Sequence, residues 1–188
     1  MSKPFRVLAL PGSLRAKSFN RALLEYARKT APASLAIEIR DIGDIPLFNQ
    51  DVEAKGYPEP VARLQAEVAA ADGILIATPE YNSGIPGVLK NALDWMSRPP
   101  GKATCTGKPV AVVGATPGIS GTSRAQVVMR PVLAGMGMLQ LVGADTALPG
   151  AGSAFDAEGN LVDEKARAAL ARTLDAFAAW IARLAPKA

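Results

Sequence analysis

The chain has 188 residues, 49% of them hydrophobic and 20% charged, with a formal net charge of +4; this describes one compact domain with a sizeable core and calls for no second domain. It contains no histidine and a single cysteine, Cys105, which excludes Ser-His-Asp, Cys-His and His-ligated metal chemistry by inventory, together with an intrachain disulfide. Lysine and arginine are scattered without a dense run or interleaved aromatics, so nucleic acid is not the expected partner and a small anionic ligand fits better.

In chain order the strands are expected at Phe5–Leu10, Ala36–Asp41, Gly73–Thr78, Val110–Ala115 and Leu139–Gly143. Helices are expected at Ser18–Thr30, Glu59–Ala71, Pro86–Arg98, Gly121–Met136 and Asp163–Leu184. The opening MSKPFRVLAL has only a short apolar run and no cleavage pattern after it. No stretch reaches the roughly 20 apolar residues that span a bilayer, so no membrane partner and a cytoplasmic location are expected. Ile42–Pro60 carries Pro46, Gly56, Pro58 and Pro60 and reads as a surface loop over one end of the sheet, while Leu148–Leu161 reads as a second irregular stretch. The last helix is the clearest, since Leu170, Leu174, Phe177, Ile181 and Leu184 fall on one face. Cys105 reads as a loop residue without a role.

Apolar runs alternating with helical stretches mark a parallel sheet covered on both faces. Five βα units of this length suit the flavodoxin-like doubly wound α/β sheet of order 2-1-3-4-5, whose ligands sit at the carboxyl ends of the strands where strand order reverses. The loops expected there are PGSLRAKSFN, PEYNSGIP and TPGISG. In the first, Gly12 permits a turn, Ser13, Ser18 and Asn20 offer donors to phosphate oxygens, and Arg15 offers the compensating charge. The plainer alternative makes Ser18 a helix cap and Arg15 a solvated surface residue. The loop is neither a Walker A loop nor a dinucleotide fingerprint. It also lacks the clustered carboxylates of a phosphoacceptor receiver domain.

In the second loop Pro79, Glu80, Tyr81 and Asn82 form a wall suited to a flat heteroaromatic ring, or else a tight turn whose Tyr81 packs on a neighbour. In the third, GISGT at 118–122 misses the nucleophile elbow by its last residue, and no histidine exists to activate Ser120.

LPGSLRAKSFNRAL together with TPEYNSGIPGVLKNALDW resembles the NADPH-dependent FMN reductase family, and GATPGISGTSRAQVVMRPVL and the tail from FDAEGNLVDEKARAAL onward resemble its quinone and chromate reductase branch. The resemblance covers nearly the whole chain. It implies FMN as cofactor, with its phosphate on Ser13, Arg15, Ser18 and Asn20. The isoalloxazine ring would lie along Pro79, Glu80, Tyr81 and Asn82, with the backbone of Thr116, Gly118 and Ser120 at its other polar edge. Some members carry a second aromatic directly after the Asn, where this chain has Ser83-Gly84.

The activity implied is an NAD(P)H oxidoreductase that takes electrons from NADPH or NADH and passes them, by ping-pong kinetics, to a small-molecule acceptor. Quinones fit, as do chromate, azo compounds or free flavin. Amides of the third loop and of the following helix N-terminus would stabilise the charge of the reduced ring. Homodimers or homotetramers are common in the family, and Trp95 and Met96 would either supply that contact or pack in the core. Two other readings stand beside this one: a flavodoxin-type electron carrier without enzymatic activity, against which the basic charge argues, and a module that binds no cofactor.

Overall fold

A computed structural model describes residues 3–144 and 146–185. The elements run β1 (Phe5–Pro11), α1 (Phe19–Thr30), β2 (Leu35–Ile39), α2 (Gln50–Glu53), α3 (Glu59–Ala70), β3 (Gly73–Ala77), α4 (Gly87–Met96), β4 (Pro109–Ala115), α5 (Ser123–Gly135), β5 (Leu139–Gln140), β6 (Thr146–Leu148), α6 (Ala151–Ala154) and α7 (Glu164–Leu184). All the ladders are parallel, and the sheet has the order β2-β1-β3-β4-β5, with β6 also paired to β4.

Alternation along the central strands sends side chains to two separate cores. Val7 and Ala9 of β1 join Leu23, Leu24, Leu170, Leu174, Phe177 and Ile181 beneath α1 and α7. Leu8 and Leu10 join Val61, Leu64, Leu89, Leu93, Met129 and Leu133 beneath α3, α4 and α5. Helices therefore cover both faces, and the polar loops are left to the strand ends.

Three expectations need correction. The expected fifth strand, Leu139–Gly143, is shorter: Leu139–Gln140 pairs with Pro109–Val110, and a sixth strand not expected from the sequence, Thr146–Leu148, pairs with Val113–Ala115. Gly143 lies between the two pieces at φ 82°, where an extended run cannot continue. The helix expected from Gly121 begins at Ser123, because Gly121 and Thr122 have φ of 56° and 71°. Lastly, Trp95 and Met96 are fully buried within the chain, so neither side chain is available for a subunit contact.

Trp95 instead anchors the Ile42–Pro60 excursion. Its indole N–H donates to the Pro46 carbonyl at 2.8 Å, and Phe48 meets it edge-on at 4.9 Å between ring centroids. Beside it, Asn91 accepts the Phe48 N–H at 2.7 Å and donates to Pro46 at 3.0 Å, while Arg98 pairs with Glu53 of α2 at 2.8 Å. The irregular stretch after β6 contains α6 and a bridge between Phe155 and Leu161. Cys105 lies in the loop before β4, as expected, but is buried there, and its thiol donates to the Met96 carbonyl at 3.3 Å.

Candidate functional site

The loops after β1, β3 and β4 meet at the carboxyl edge of the sheet. Gly12 sets the first close approach: its N–H donates to the Ala77 carbonyl at 2.8 Å, and a Cβ there would lie 3.1 Å from Pro79 Cδ and 3.0 Å from Leu89 Cδ2. Ser13 is buried, its Oγ accepting the Arg15 N–H at 3.3 Å and sharing a hydrogen bond with the Tyr81 hydroxyl at 3.3 Å. The first and second loops are thereby joined. Ser18 caps α1, its Oγ accepting the Arg21 N–H at 3.3 Å. An accepting hydroxyl still has its own proton to give, so capping and ligand binding are compatible at Ser18.

Asn20 has a different placement from the one expected. Its Nδ2 donates to the Ala115 carbonyl and its Oδ1 accepts the Ala115 N–H, both at 2.9 Å, so one Nδ2 hydrogen is all the amide retains for a ligand. The first-turn amides of Phe19 and Asn20 make no hydrogen bond among the described residues, and the exposed Arg15 and Lys17 have no ion-pair partner there. Free N–H groups at a helix start beside two cations form a donor set for an anion.

The second loop turns between Tyr81 and Gly84, which exchange two backbone hydrogen bonds at 3.0 Å. Asn82 and Ser83 occupy the turn with φ of 49° and 63°, both left-handed as a type I′ turn requires. Asn tolerates that region, whereas Ser83 holds it at some cost in backbone strain. Pro79 is buried, and the Tyr81 side chain is 47% exposed, leaving ring surface open to a ligand.

Glu80 points the other way. Its side chain is 5% exposed and accepts from Ser120 Oγ at 3.1 Å, Arg124 Nε at 2.7 Å, and the backbone amides of Arg124 and Ala125 at 3.0 and 3.3 Å. Burial alone would raise its pKa. The Arg124 guanidinium, the Ala125 amide and the Ser120 hydroxyl together outweigh that and hold the carboxyl below its ordinary value. The start of α5, expected to face a ligand's negative charge, is instead capped by this carboxylate.

In the third loop, Thr116 donates its N–H to Leu148 and accepts from Ala151, both at 3.0 Å, and Gly118 accepts from Gly150 at 3.3 Å. The amides of Ile119 and Ser120 make no hydrogen bond among the described residues, and they are what this loop offers to a polar ring edge.

Residues outside the expected set hold the loop in place. A Cβ on Gly114 would collide with Thr122 Oγ1 and lie 2.5 Å from the Thr78 carbonyl, so the Thr122 side chain of the third loop and the Thr78 carbonyl of the second both pack against β4 only because position 114 is glycine. Thr122 is fully buried in the left-handed region. The run VAVVGA gives a strand, and nothing in it marks Gly114 apart from the interruption of an apolar sequence by a glycine.

The profile of the family described as NADPH-dependent FMN reductase matches residues 5–153, which span all three loops. An NAD(P)H-dependent FMN reductase of Pseudomonas aeruginosa is 45% identical over 184 residues, 98% of this chain and 99% of its own. A quinone reductase of Pseudomonas putida is 41% identical over 181 residues, 96% of this chain and 97% of its own. Among solved structures, a flavoenzyme NAD(P)H:(acceptor) oxidoreductase of Paracoccus denitrificans matches with a TM-score of 0.87 and 36% identity, over 95% of this chain and 98% of that one. With the loops and their donors placed as described, the chain belongs to the NADPH-dependent FMN reductase family.

Proposed function

We propose that the protein is an NAD(P)H oxidoreductase that uses FMN to pass electrons to quinones or similar small acceptors. The observation that carries this reading is the convergence of three loops at one sheet edge, two of them with unpaired amides. FMN, when bound, supplies the centre that accepts a hydride and relays electrons. The chain's residues bind and orient it. Ser13, Arg15, Ser18 and the amides of Phe19 and Asn20 take the phosphate, with Asn20 also bracing the site. Pro79, Tyr81, Asn82 and the backbone of Glu80 line the ring, and Thr116, Gly118 and Ser120 carry the third loop to its polar edge. Protein closes the cleft on the side of the sheet, so nicotinamide and acceptor share the outer side and take turns, which gives ping-pong kinetics.

Each of the three loops also carries one exposed large side chain, Leu14, Tyr81 or Ile119. This supports a homo-oligomer that covers the rim, either a dimer or a tetramer, and sedimentation of the native protein decides between them. No helix among the described residues is long and apolar enough to cross a membrane. A cytoplasmic location is part of the proposal, and a chain with a single cysteine, which forms no intrachain disulfide, agrees with it.

Anaerobic addition of NADPH or NADH to the FMN-loaded protein should bleach the visible flavin band, and a quinone should restore it. A protein that binds FMN but is not bleached by either nicotinamide is an electron carrier. One that fails to bind FMN in a titration overturns the reading altogether.

A further inference from the structure

The second and third loops leave strands β3 and β4 and hold backbone conformations that do not persist unaided. Asn82, Ser83, Gly121 and Thr122 all have positive φ, and two of the four are neither glycine nor asparagine. Something must over-determine the arrangement. Outside the Thr78–Gly114–Thr122 packing, the polar side-chain link between the two loops among the described residues is the carboxylate of Glu80. It is saturated: Oε1 receives Ser120 Oγ and two nitrogens of Arg124, and Oε2 receives the amides of Arg124 and Ala125. A carboxylate has about four lone-pair sites, so none is left for a ligand.

We propose that Glu80 is a positioning residue, whose carboxylate latches the third loop and the start of α5 to the second loop so that their free backbone amides converge on one cleft. The inference rests on the FMN reading for the purpose of the cleft, though not for the latch itself. Two consequences separate it from direct contact. Glu80 acts through Arg124, a side chain 63% exposed that ties its own guanidinium and amide to the same carboxylate. By capping α5, Glu80 also withdraws the helix start from the ligand and leaves the Ile119 and Ser120 amides as the third loop's donors.

The test compares the parent with E80Q, R124A and the double variant. One readout is amide hydrogen exchange at Ser120–Ala125 without FMN, and the other is FMN affinity by fluorescence quenching. Each single variant should speed exchange of the amides at positions 124 and 125 and weaken FMN binding about 10-fold or more, the scale of a lost charge-assisted hydrogen bond. The double variant should be little worse than E80Q, while the melting temperature moves little in R124A. Unchanged exchange in both single variants overturns the latch. Losses of affinity that multiply in the double variant overturn it too, because Glu80 then acts on the ligand independently of Arg124. A lower melting temperature with undiminished affinity of the folded fraction reduces Glu80 to packing. If the parent binds no FMN, the functional reading falls, and exchange alone still decides the latch.

Discussion

Asn20 and Ala115 exchange two hydrogen bonds at 2.9 Å, joining the first turn of α1 to the last residue of β4 across 95 positions of sequence. Replacing Asn20 with Ala strands a buried N–H and a buried carbonyl, at about 1–3 kcal/mol for each group left unpaired. Denaturant unfolding of N20A should show that loss. FMN affinity should fall as well, since the first and third loops lose their common strut.

Gly114→Ala tests the close approach of the second and third loops. The added methyl meets Thr122 Oγ1 and the Thr78 carbonyl, the latter at 2.5 Å and part of the backbone. Overpacking of this kind costs about 1–3 kcal/mol. Calorimetry of G114A should find destabilisation at the upper end of that range, accompanied by loss of FMN binding.

At the phosphate end, Arg15→Ala and Ser18→Ala should separate two effects. Arg15 is exposed and has no ion pair among the described residues, so R15A should leave unfolding unchanged and weaken FMN binding by about 5- to 150-fold, the equivalent of roughly 1–3 kcal/mol. S18A also removes the cap on Arg21 and should lose about 1 kcal/mol of stability. Riboflavin, which lacks the phosphate, should bind the parent far more weakly than FMN and lose little further affinity in R15A. Titrations with both ligands check this.

Tyr81 has two separable parts. Y81F breaks the 3.3 Å link to Ser13 and keeps the ring, whereas Y81A removes both. The visible spectrum of bound flavin, or the rate with a quinone, should change in Y81A and stay close to the parent in Y81F. The preference for FMN over riboflavin should survive in each. A Y81A protein that matches the parent in both half-reactions makes Tyr81 a packing residue.

Acid should open the site. At Glu80, burial is outweighed by Arg124, Ala125 and Ser120; at Asp44, burial is outweighed by Arg40 and Arg63. Both carboxyls titrate below their ordinary values in the folded protein. Their contribution is therefore complete above the ordinary carboxylate range and is lost as pH falls through the depressed values. FMN retention followed from neutral pH downward should hold through the ordinary carboxylate range and fail only below it, with E80Q failing to show the same step.

The longer strands and helices were legible because the central strands are rich in Val, Ile, Leu and Ala and the longer helices bury a stripe of recurring apolar residues, whereas α2, α6 and β6 are too short to show such a pattern. Polar, glycine-bearing loops at the ends of β1, β3 and β4 marked the cleft for the same local reason. Residue roles set by distant partners were not legible. Asn20 looks like a ligand donor until Ala115 is placed beside it, and Glu80 looks like part of a ring wall until Arg124 comes within 2.7 Å. Trp95 is as good an interface residue as a core residue until the excursion that carries Pro46 and Phe48 folds over it. Thr146–Leu148, too short to stand out in the sequence, follows Leu139–Gln140 after an interruption at Gly143.

That interruption bears on how the protein behaves when crowded. A sheet margin recruits further chains by offering a long, regular row of unpaired N–H and carbonyl groups. Here the margin beside β4 is divided into pieces of two and three residues with Gly143 at φ 82° between them. An incoming strand can register with one piece but not continue into the next, which denies fibre growth the uninterrupted template that cross-β stacking needs.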